Sequence, residues 1–234
     1  MISFNQTSVV SHDGATILHP FSLQLTEQRI AVIGANGSGK STLARLINGL
    51  VEPTSGVVTI EAADTSAPPL DTVTDGAAVR RAVGFVFTDP AAQLIMPTVI
   101  EDVELSLRQE HRDAAERRRA ALAALARFGL DGFAERSVHA LSGGQQQLLA
   151  IATVLATGPR ILVTDEPTTL LDLRNTRIIG DLLTSLPQQV VIVTHNLELA
   201  ARADRALVVD RGRIVYDGEA ASAISHYRDR VAAA

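Results

Sequence analysis

The 234-residue sequence lacks cysteine, an excess of basic residues and any long apolar segment. Without cysteine, disulfide bonds and thiolate metal sites are excluded. Twenty-one basic residues stand against 26 acidic ones, giving a net charge of −5, so we expect no nucleic-acid partner. No apolar run approaches the roughly 20 residues that span a bilayer, and residues 1–30 lack the pattern of a signal peptide. We therefore expect other chains to supply the membrane part if the protein serves a membrane process.

The most informative segment has the spacing Gly, four residues, Gly-Lys-Ser: Gly34, Ala35, Asn36, Gly37, Ser38, Gly39, Lys40 and Ser41. A predicted buried strand, residues 30–33, precedes it, and residues 42–47 are apolar at helical spacing. In this context glycines let successive backbone N–H groups face one anion, and the helix dipole adds positive potential. Lys40 can reach the β- and γ-phosphates, and the Ser41 hydroxyl can bind Mg²⁺. A chance glycine-rich turn is the alternative, which the agreement of spacing, strand and helix disfavours.

Two carboxylates, Asp165 and Glu166, end a second apolar run at residues 161–164. At the carboxyl end of a parallel strand, such groups face the crevice where ligands bind in open α/β sheets. Asp165 is placed to hold Mg²⁺ directly or through water, and Glu166 to polarise an attacking water as general base. An ordinary acidic strand end is the alternative, and the phosphate loop upstream disfavours it.

The order of predicted elements indicates an α/β domain with a parallel central sheet. Short strands and turns begin the chain, a surface loop is predicted over 62–78, and a strand over 83–87. Near-continuous apolar runs at 161–164 and 190–194 are typical of parallel strands buried on both faces. A helix is predicted between them at about 174–186, and the chain then forms a hairpin.

A helical insertion between strands is predicted for about residues 90–157. Thr98 and Glu101 have the spacing of a capping box, which marks a helix start. From about residue 101 to 128 the pattern is helical, and its expected inward positions are Leu105, Leu122, Leu125 and Phe128.

A third motif consists of Leu141 and the four residues after it, followed by an apolar helical stretch: Ser142, Gly143, Gly144 and Gln145. Serine and two glycines at a helix start form a second anion site by the same physics as the phosphate loop. A nucleotide has one γ-phosphate, so a second site in one chain indicates that two chains share ligands. With this motif, the sequence resembles the nucleotide-binding subunits of ABC transporters over about residues 2–218.

The resemblance implies a P-loop NTPase core with a parallel central sheet, an N-terminal antiparallel β subdomain and a helical subdomain at about 90–157. The ATPase domain is then expected over residues 2–220, followed by a C-terminal tail, 221–234. ATP and Mg²⁺ are the implied cofactors. Two subunits, in a homodimer or a heterodimer with a related ATPase, would face head to tail. Each nucleotide would be clamped between the phosphate loop of one subunit, including Thr42, and residues 142–145 of the other.

Two further segments match the family pattern. Leu170-Leu171-Asp172 resembles the loop that follows the catalytic glutamate and contacts the other subunit across the dimer. His195, which follows the strand at 190–194, resembles the switch histidine that contacts the γ-phosphate and positions water. The resemblance therefore implies that Glu166 and His195 are the catalytic residues.

Two positions depart from the family pattern. Thr88 stands where the family usually has a glutamine that touches Mg²⁺ and water; its hydroxyl is shorter, and is both donor and acceptor. Gln93 lies five residues further on and is an alternative metal-side group. His12 occupies the position of the aromatic residue that usually stacks on adenine. We expect Thr88 at the metal and, from the smaller imidazole of His12, weaker adenine discrimination.

A narrower resemblance, to the ATPases of energy-coupling factor (ECF) importers of vitamins and metals, rests on residues 83–104. Thr88 together with Met96-Pro97-Thr98 looks most similar to the biotin-transporter ATPase. This implies a transmembrane coupling protein docked near residues 88–104, a small substrate-binding membrane protein, and a peripheral location on the cytoplasmic face of the membrane. Four carboxylates there either accept arginines from a coupling helix or belong to a capped surface helix: Asp89, Glu101, Asp102 and Glu104.

A soluble ABC-type ATPase acting on DNA or ribosomes is the alternative function. Such chains usually carry long coiled coils, zinc modules or two ATPase halves. Here about 100 residues separate the phosphate loop from Ser142, and the chain has one set of motifs and no cysteine. The pI of about 5.7 also argues against this alternative. A non-hydrolysing nucleotide switch is disfavoured by Glu166.

Overall fold

The computed structural model of the protein describes residues 1–64 and 66–233. Its strands are β1 (Ile2–Val10), β2 (Thr16–Leu25), β3 (Arg29–Ile33), β4 (Ser55–Ile60), β5 (Leu70–Asp71), β6 (Val83–Val86), β7 (Ile161–Asp165), β8 (Gln189–Val193), β9 (Arg205–Asp210) and β10 (Arg213–Gly218). Its α-helices are α1 (Lys40–Ile47), α2 (Gly76–Ala82), α3 (Val99–Ser106), α4 (Ala114–Ala126), α5 (Gly143–Ala156), α6 (Leu173–Ser185), α7 (Leu197–Ala200) and α8 (Ala220–Ala232).

The larger sheet has the strand order β10-β9-β3-β8-β7-β6 and is parallel except for the β9–β10 hairpin. Every residue of β3, β6 and β7 is buried, as expected for parallel strands covered on both faces. The predicted parallel central sheet and C-terminal hairpin are therefore confirmed.

The smaller sheet is antiparallel, with the order β2-β1-β4-β5. Its apolar face shares one core with the larger sheet and α1; Phe4 and Ile60 belong to the same buried cluster as Val32 and Leu43. The antiparallel N-terminal sheet implied by the family resemblance is thus present. Two elements occupy part of the predicted loop at 62–78: β5 and the start of α2. Within that segment Thr65 lies outside the described residues.

The helical insertion has a core of its own, built from α3, α4 and the first half of α5. The capping box at Thr98 and Glu101 is confirmed. The single predicted helix over 101–128 is instead two helices, because a 3-10 turn follows α3 and Asp113 caps the start of α4. Leu125 is buried as predicted, but Leu122 is 37% exposed, because α4 turns its small residues towards the core.

The segment described above as a C-terminal tail forms a helix through residue 232. Ala220, Ala223 and Ile224 are buried in a cluster with Ala206 and Val208 of β9. Small residues spaced i, i+3 and i+4 let the helix lie close to the sheet, so α8 extends the packed core. Among the described residues, none of the helices combines the length and apolar character needed to cross a membrane.

Arg29 connects β3 to the loop after α6 and is only 7% exposed. Its guanidinium donates hydrogen bonds to four backbone carbonyl groups: Gln28, Thr184, Leu186 and Gln188. Burial lowers the pKa of Arg29, and the charge of Asp204 opposes that shift. The planar fork of donors satisfies carbonyl groups that would otherwise be buried without partners.

We predict that Arg29→Met lowers the free energy of unfolding by about 2–4 kcal/mol, because several buried carbonyl groups lose their donor. Urea denaturation followed by circular dichroism measures the change. Arg119→Met, at an exposed position of α4, is the matched control and should change stability by less than about 0.5 kcal/mol. A variant at Arg29 as stable as this control would contradict the assigned role.

Candidate active site

The segment from Gly34 to Ser41 forms a loop between β3 and α1 whose shape depends on three glycines. Gly34, Gly37 and Gly39 have φ values of +151°, +75° and +107°, which other residues rarely adopt. A Cβ on Gly34 would lie 2.1 Å from the carbonyl oxygen of Val209, and one on Gly39 would lie 2.8 Å from Cδ2 of Leu18. The sequence therefore builds a backbone cradle that no side chain fills.

Lys40, at the start of α1, is buried beneath this cradle. Its Nζ donates to the carbonyl oxygens of Gly34 and Ala35, both at 2.9 Å. Burial lowers the pKa of Lys40, while the charges of Glu166 and Asp165 oppose that shift. The hydroxyl of Ser38 is buried and has no hydrogen-bond partner among the described residues. The phosphates of a nucleotide fit this combination of an unpaired Ser38 hydroxyl, the Lys40 ammonium group and an open backbone cradle.

The two residues predicted to bind Mg²⁺ at the phosphate loop are Ser41 and Asp165. The Ser41 hydroxyl donates to Oδ1 of Asp165 at 2.9 Å, and Nη2 of Arg45 lies 3.7 Å from Oδ2. Burial raises the pKa of Asp165, whereas the hydrogen bond from Ser41 and the charge of Arg45 oppose the increase. Carboxylate and hydroxyl oxygens suit Mg²⁺, which is commonly held by one or two carboxylates together with substrate phosphates. Consistent with this, the described residues contain no cluster of three or more His, Cys, Asp or Glu side chains that would hold a metal alone.

Glu166 and His195 form a hydrogen-bonded pair beside the cradle. Oε2 of Glu166 lies 2.7 Å from Nδ1 of His195 and accepts from the His195 backbone N–H at 3.3 Å and the Thr169 hydroxyl at 3.1 Å. Glu166 has φ +53°, an uncommon value for a residue with a side chain, and its N–H donates to Val193. Three contacts on one oxygen thus fix the carboxylate of a candidate general base.

Two cavities meet at this site and share Asn36 and Glu166. The first, of about 410 Å³, lies over the phosphate loop and is lined by residues 36–42 together with Ile17 and Glu166. The second, of about 480 Å³, contains Glu166 and His195, and its remaining lining residues are Gly34, Ala35, Asn36, Thr88, Thr169 and Tyr227. The structure therefore brings together the predicted loop, the carboxylates, the histidine and Thr88.

Thr88 and Gln93, the two alternatives at the metal side, are placed differently. Thr88 lines the cavity that contains Glu166. The Gln93 side chain instead accepts from the N–H of Phe87 at 3.1 Å and donates to the carbonyl group of Phe85 at 3.3 Å. Gln93 therefore braces the end of β6 and does not extend into the site.

His12 lies in the exposed turn between β1 and β2. The residue of this hairpin that lines the phosphate-loop cavity is Ile17, whose carbonyl oxygen would lie 3.1 Å from a Cβ on Gly39. Within this hairpin it is therefore Ile17, and not His12, that borders the phosphate loop.

The motif at residues 141–145 lies outside both cavities and caps α5. Ser142 and Gln145 form a reciprocal capping box, with Ser142 N–H 2.9 Å from Oε1 of Gln145. Gly144 lies against Asn175, which a Cβ would approach to 2.5 Å, and Asn175 donates to the helix-capping carboxylate of Asp172. Gly143 is exposed beside this contact. The motif predicted to be a second anion site therefore lies away from the phosphate loop of its own chain.

The four carboxylates that either accept a partner's arginines or belong to a capped surface helix also differ in their surroundings. Asp102 is 3% exposed and accepts from the N–H groups of Ile95 and Met96, at 2.9 and 3.1 Å. It is therefore engaged inside the chain and is not available to a partner. Asp89 is exposed and caps a 3-10 turn, Glu101 belongs to the capping box, and Glu104 lies 3.5 Å from Arg118.

Three lining residues were not predicted from the sequence: Ile17, Thr169 and Tyr227. Thr169 lies three residues after Glu166, a spacing that permits its contact with the carboxylate. The helical spacing of residues 220, 223, 224 and 227 indicates a common face, but nothing in the sequence places that face beside the phosphate loop.

Comparison with known proteins identifies the family of the chain. The family model for "ABC transporter" matches residues 18–169. Biotin transport ATP-binding protein BioM of Rhizobium etli is 43% identical over 224 residues, which cover 96% of this chain and 96% of that protein.

Two solved structures have closely similar folds. The protein cbiO1 of Clostridium perfringens, described as part of the ABC transporter complex cbiONQ, matches 98% of this chain and 92% of its own, with a TM-score of 0.82 and 28% identity. The dimeric ATP-binding cassette MJ0796, in a post-hydrolysis state with ADP and Pi, matches 94% of this chain and 99% of its own, with a TM-score of 0.80 and 31% identity. The family resemblance inferred from the motifs is thus confirmed: the chain belongs to the ABC transporter family and is one of its ATPases.

Proposed function

We propose that this ATPase energises a membrane importer of the ECF type, whose substrate is a vitamin such as biotin or a metal ion. The pairing of Glu166 with His195 beside the phosphate loop carries the hydrolytic part of the proposal. The importer part is supported by the segment 83–104 and by the similarity to the BioM protein of Rhizobium etli.

The site residues divide the work of hydrolysis. The backbone N–H groups of residues 34–39 and the ammonium group of Lys40 bind the triphosphate. Ser41 and Asp165 would hold Mg²⁺, with Thr88 beside them; the bound ion supplies charge neutralisation at the phosphates. Glu166 orients the attacking water as general base, and His195 holds the carboxylate in place.

A second subunit completes the site in this proposal. Residues 142–145 of one chain would close on the γ-phosphate held by the other, because the structure presents them away from their own phosphate loop. The chain carries both the complete motif at 141–145 and Glu166, so a homodimer would contain two working sites. In a heterodimer, a related ATPase takes the place of the second copy. Closing and reopening of the pair is the mechanical output.

The proposed membrane partners dock on the helical side of the molecule. A groove of about 490 Å³ lies between α2 and the segment after α3, with Arg80 and Arg81 on one side and Glu110 on the other. Ile95, in the loop before α3, is 70% exposed and lies within the segment 88–104, near which the coupling protein is expected to dock. The chain would thereby lie on the cytoplasmic face of the membrane.

We predict that Glu166→Gln lowers the rate of ATP hydrolysis by a factor on the order of 10²–10⁴, as expected on losing a general base, while ATP binding is retained. Steady-state phosphate release and calorimetric titration measure the two quantities. Glu198→Gln, an exposed carboxylate of α7, is the control and should hydrolyse ATP at the normal rate. Unchanged turnover in Glu166→Gln would refute the assignment.

We predict that Lys40→Ala weakens ATP binding itself, because the phosphates lose the buried ammonium group. Lys40 is the only lysine among the 234 residues, so chemical acylation supplies an independent measurement. Bound ATP should protect Lys40 from an amine-reactive reagent, with the α-amino group of Met1 as internal control. Equal labelling of Lys40 with and without saturating ATP would count against the phosphate-loop assignment.

The importer proposal predicts that the tagged chain, purified from solubilised native membranes, brings with it a transmembrane coupling protein and a small substrate-binding membrane protein. Ile95→Asp should reduce their recovery, whereas Val231→Asp, at an exposed position of α8, should not. Mass spectrometry identifies the recovered chains. Recovery of ribosomes or DNA-bound proteins in their place would overturn the importer proposal.

A further inference from the structure

The C-terminal helix α8 has one face packed on the sheet and a tyrosine at the end of that face. Ala220, Ala223 and Ile224 are buried against β9, and Tyr227 follows at helical spacing on the same side. One turn further on, Arg230 pairs with Asp210 at the end of β9. Contacts on both sides of Tyr227 therefore hold this part of α8 against the strand.

Tyr227 lines the same cavity as Glu166 and His195. The adjoining cavity is lined by Gly37, Gly39, Lys40 and Ser41 of the phosphate loop and by Ile17. Tyr227 thus lies on the Glu166 side of the two cavities, and it is remote in sequence from every nucleotide-binding motif.

The chemistry of this cavity suits a phenol. Among the described residues that line it, none is lysine or arginine, and the hydroxyl groups are those of Thr88, Thr169 and Tyr227. A phenol hydroxyl donates one hydrogen bond, and its stiff ring loses little conformational freedom when a ligand binds. Tyrosine can therefore contact a phosphate oxygen without adding a charge beside the carboxylate of Glu166.

We propose that Tyr227 is a nucleotide-binding residue, whose hydroxyl donates to the γ-phosphate and so ties α8 to the occupancy of the site. The inference rests on the ATPase function proposed above. Because only a triphosphate has a γ-phosphate, this contact would let the C-terminal helix distinguish nucleoside triphosphate from diphosphate.

The composition of the chain permits a direct optical test. The protein has no tryptophan and two tyrosines, so in Tyr216→Phe all tyrosine emission comes from Tyr227. The non-hydrolysable triphosphate AMP-PNP with Mg²⁺ should lower the acrylamide quenching constant about twofold, because the ligand fills the cavity through which the quencher reaches the ring. ADP should lower the quenching constant less than AMP-PNP does. In Tyr227→Phe, the quenching of Tyr216 should not change when nucleotide binds. Tyr216 packs against His226 of α8 and against the buried cluster between α8 and β9.

Binding affinities provide the second measurement. Tyr227→Phe removes only the hydroxyl, so the Kd for AMP-PNP measured by calorimetry should rise about three- to tenfold, with the Kd for ADP unchanged. Tyr216→Phe is the matched control and should bind both nucleotides normally.

The outcomes separate the two proposals. Binding of AMP-PNP without a change in Tyr227 quenching, or equal AMP-PNP affinity in Tyr227→Phe and the parent chain, would overturn the role of Tyr227 and leave the ATPase intact. Failure of the parent chain to bind AMP-PNP at all would overturn the proposed function itself.

Discussion

The parallel pairing of β3, β8 and β7 is the constraint on which the rest of the site depends. Val193 of β8 is opposite Val32 of β3 and Asp165 of β7, so the three strands end at one level. The ladder continues past the strands, because Glu166 N–H donates to Val193 and Thr194 N–H donates to Val32. Since adjacent strands lie about 4.8 Å apart, the phosphate loop, Glu166 and His195 must emerge side by side. A slip in register would separate them.

Two residues of opposite charge, Lys40 and Asp165, are buried at this edge of the sheet. Burial lowers the pKa of Lys40 and raises that of Asp165, so both charged forms are disfavoured by their surroundings. Lys40 donates to backbone carbonyl groups, and Asp165 accepts from Ser41. Buried titratable groups with perturbed pKa values are typical of functional sites.

The parts of the site that the sequence predicts are those whose geometry is local. The phosphate loop is defined by glycine spacing between a strand and a helix, and Asp165, Glu166 and His195 each follow an apolar strand directly. For the same reason the parallel sheet was predictable, because strands buried on both faces leave continuous apolar runs. The helix boundaries in the insertion were less predictable, since the break after α3 depends on a 3-10 turn and on the cap at Asp113.

The parts that were missed depend on contacts between distant segments. The β1–β2 hairpin changes register twice near its end, and this brings Ile17 to the loop while His12 stays in the turn. Counting along the sequence cannot reveal such irregular pairing. Likewise, Asp102 has the sequence pattern of an exposed surface carboxylate. In the structure it is covered by the loop at Ile95, whose N–H donates to it.

Long-range contacts of the same kind connect the predicted second anion motif to Glu166 within one chain. Gly144 lies against Asn175, Asn175 is bound to Asp172, and the segment from Asp172 runs back to Thr169, whose hydroxyl donates to Glu166. Asp172 also caps α6 through the N–H of Asn175, so this segment is fixed at its far end. A contiguous set of contacts thus joins the exposed start of α5 to the carboxylate of Glu166. In the dimer proposed above, a subunit that closes on Ser142 would act on that set, and docking and hydrolysis would then share one structural element.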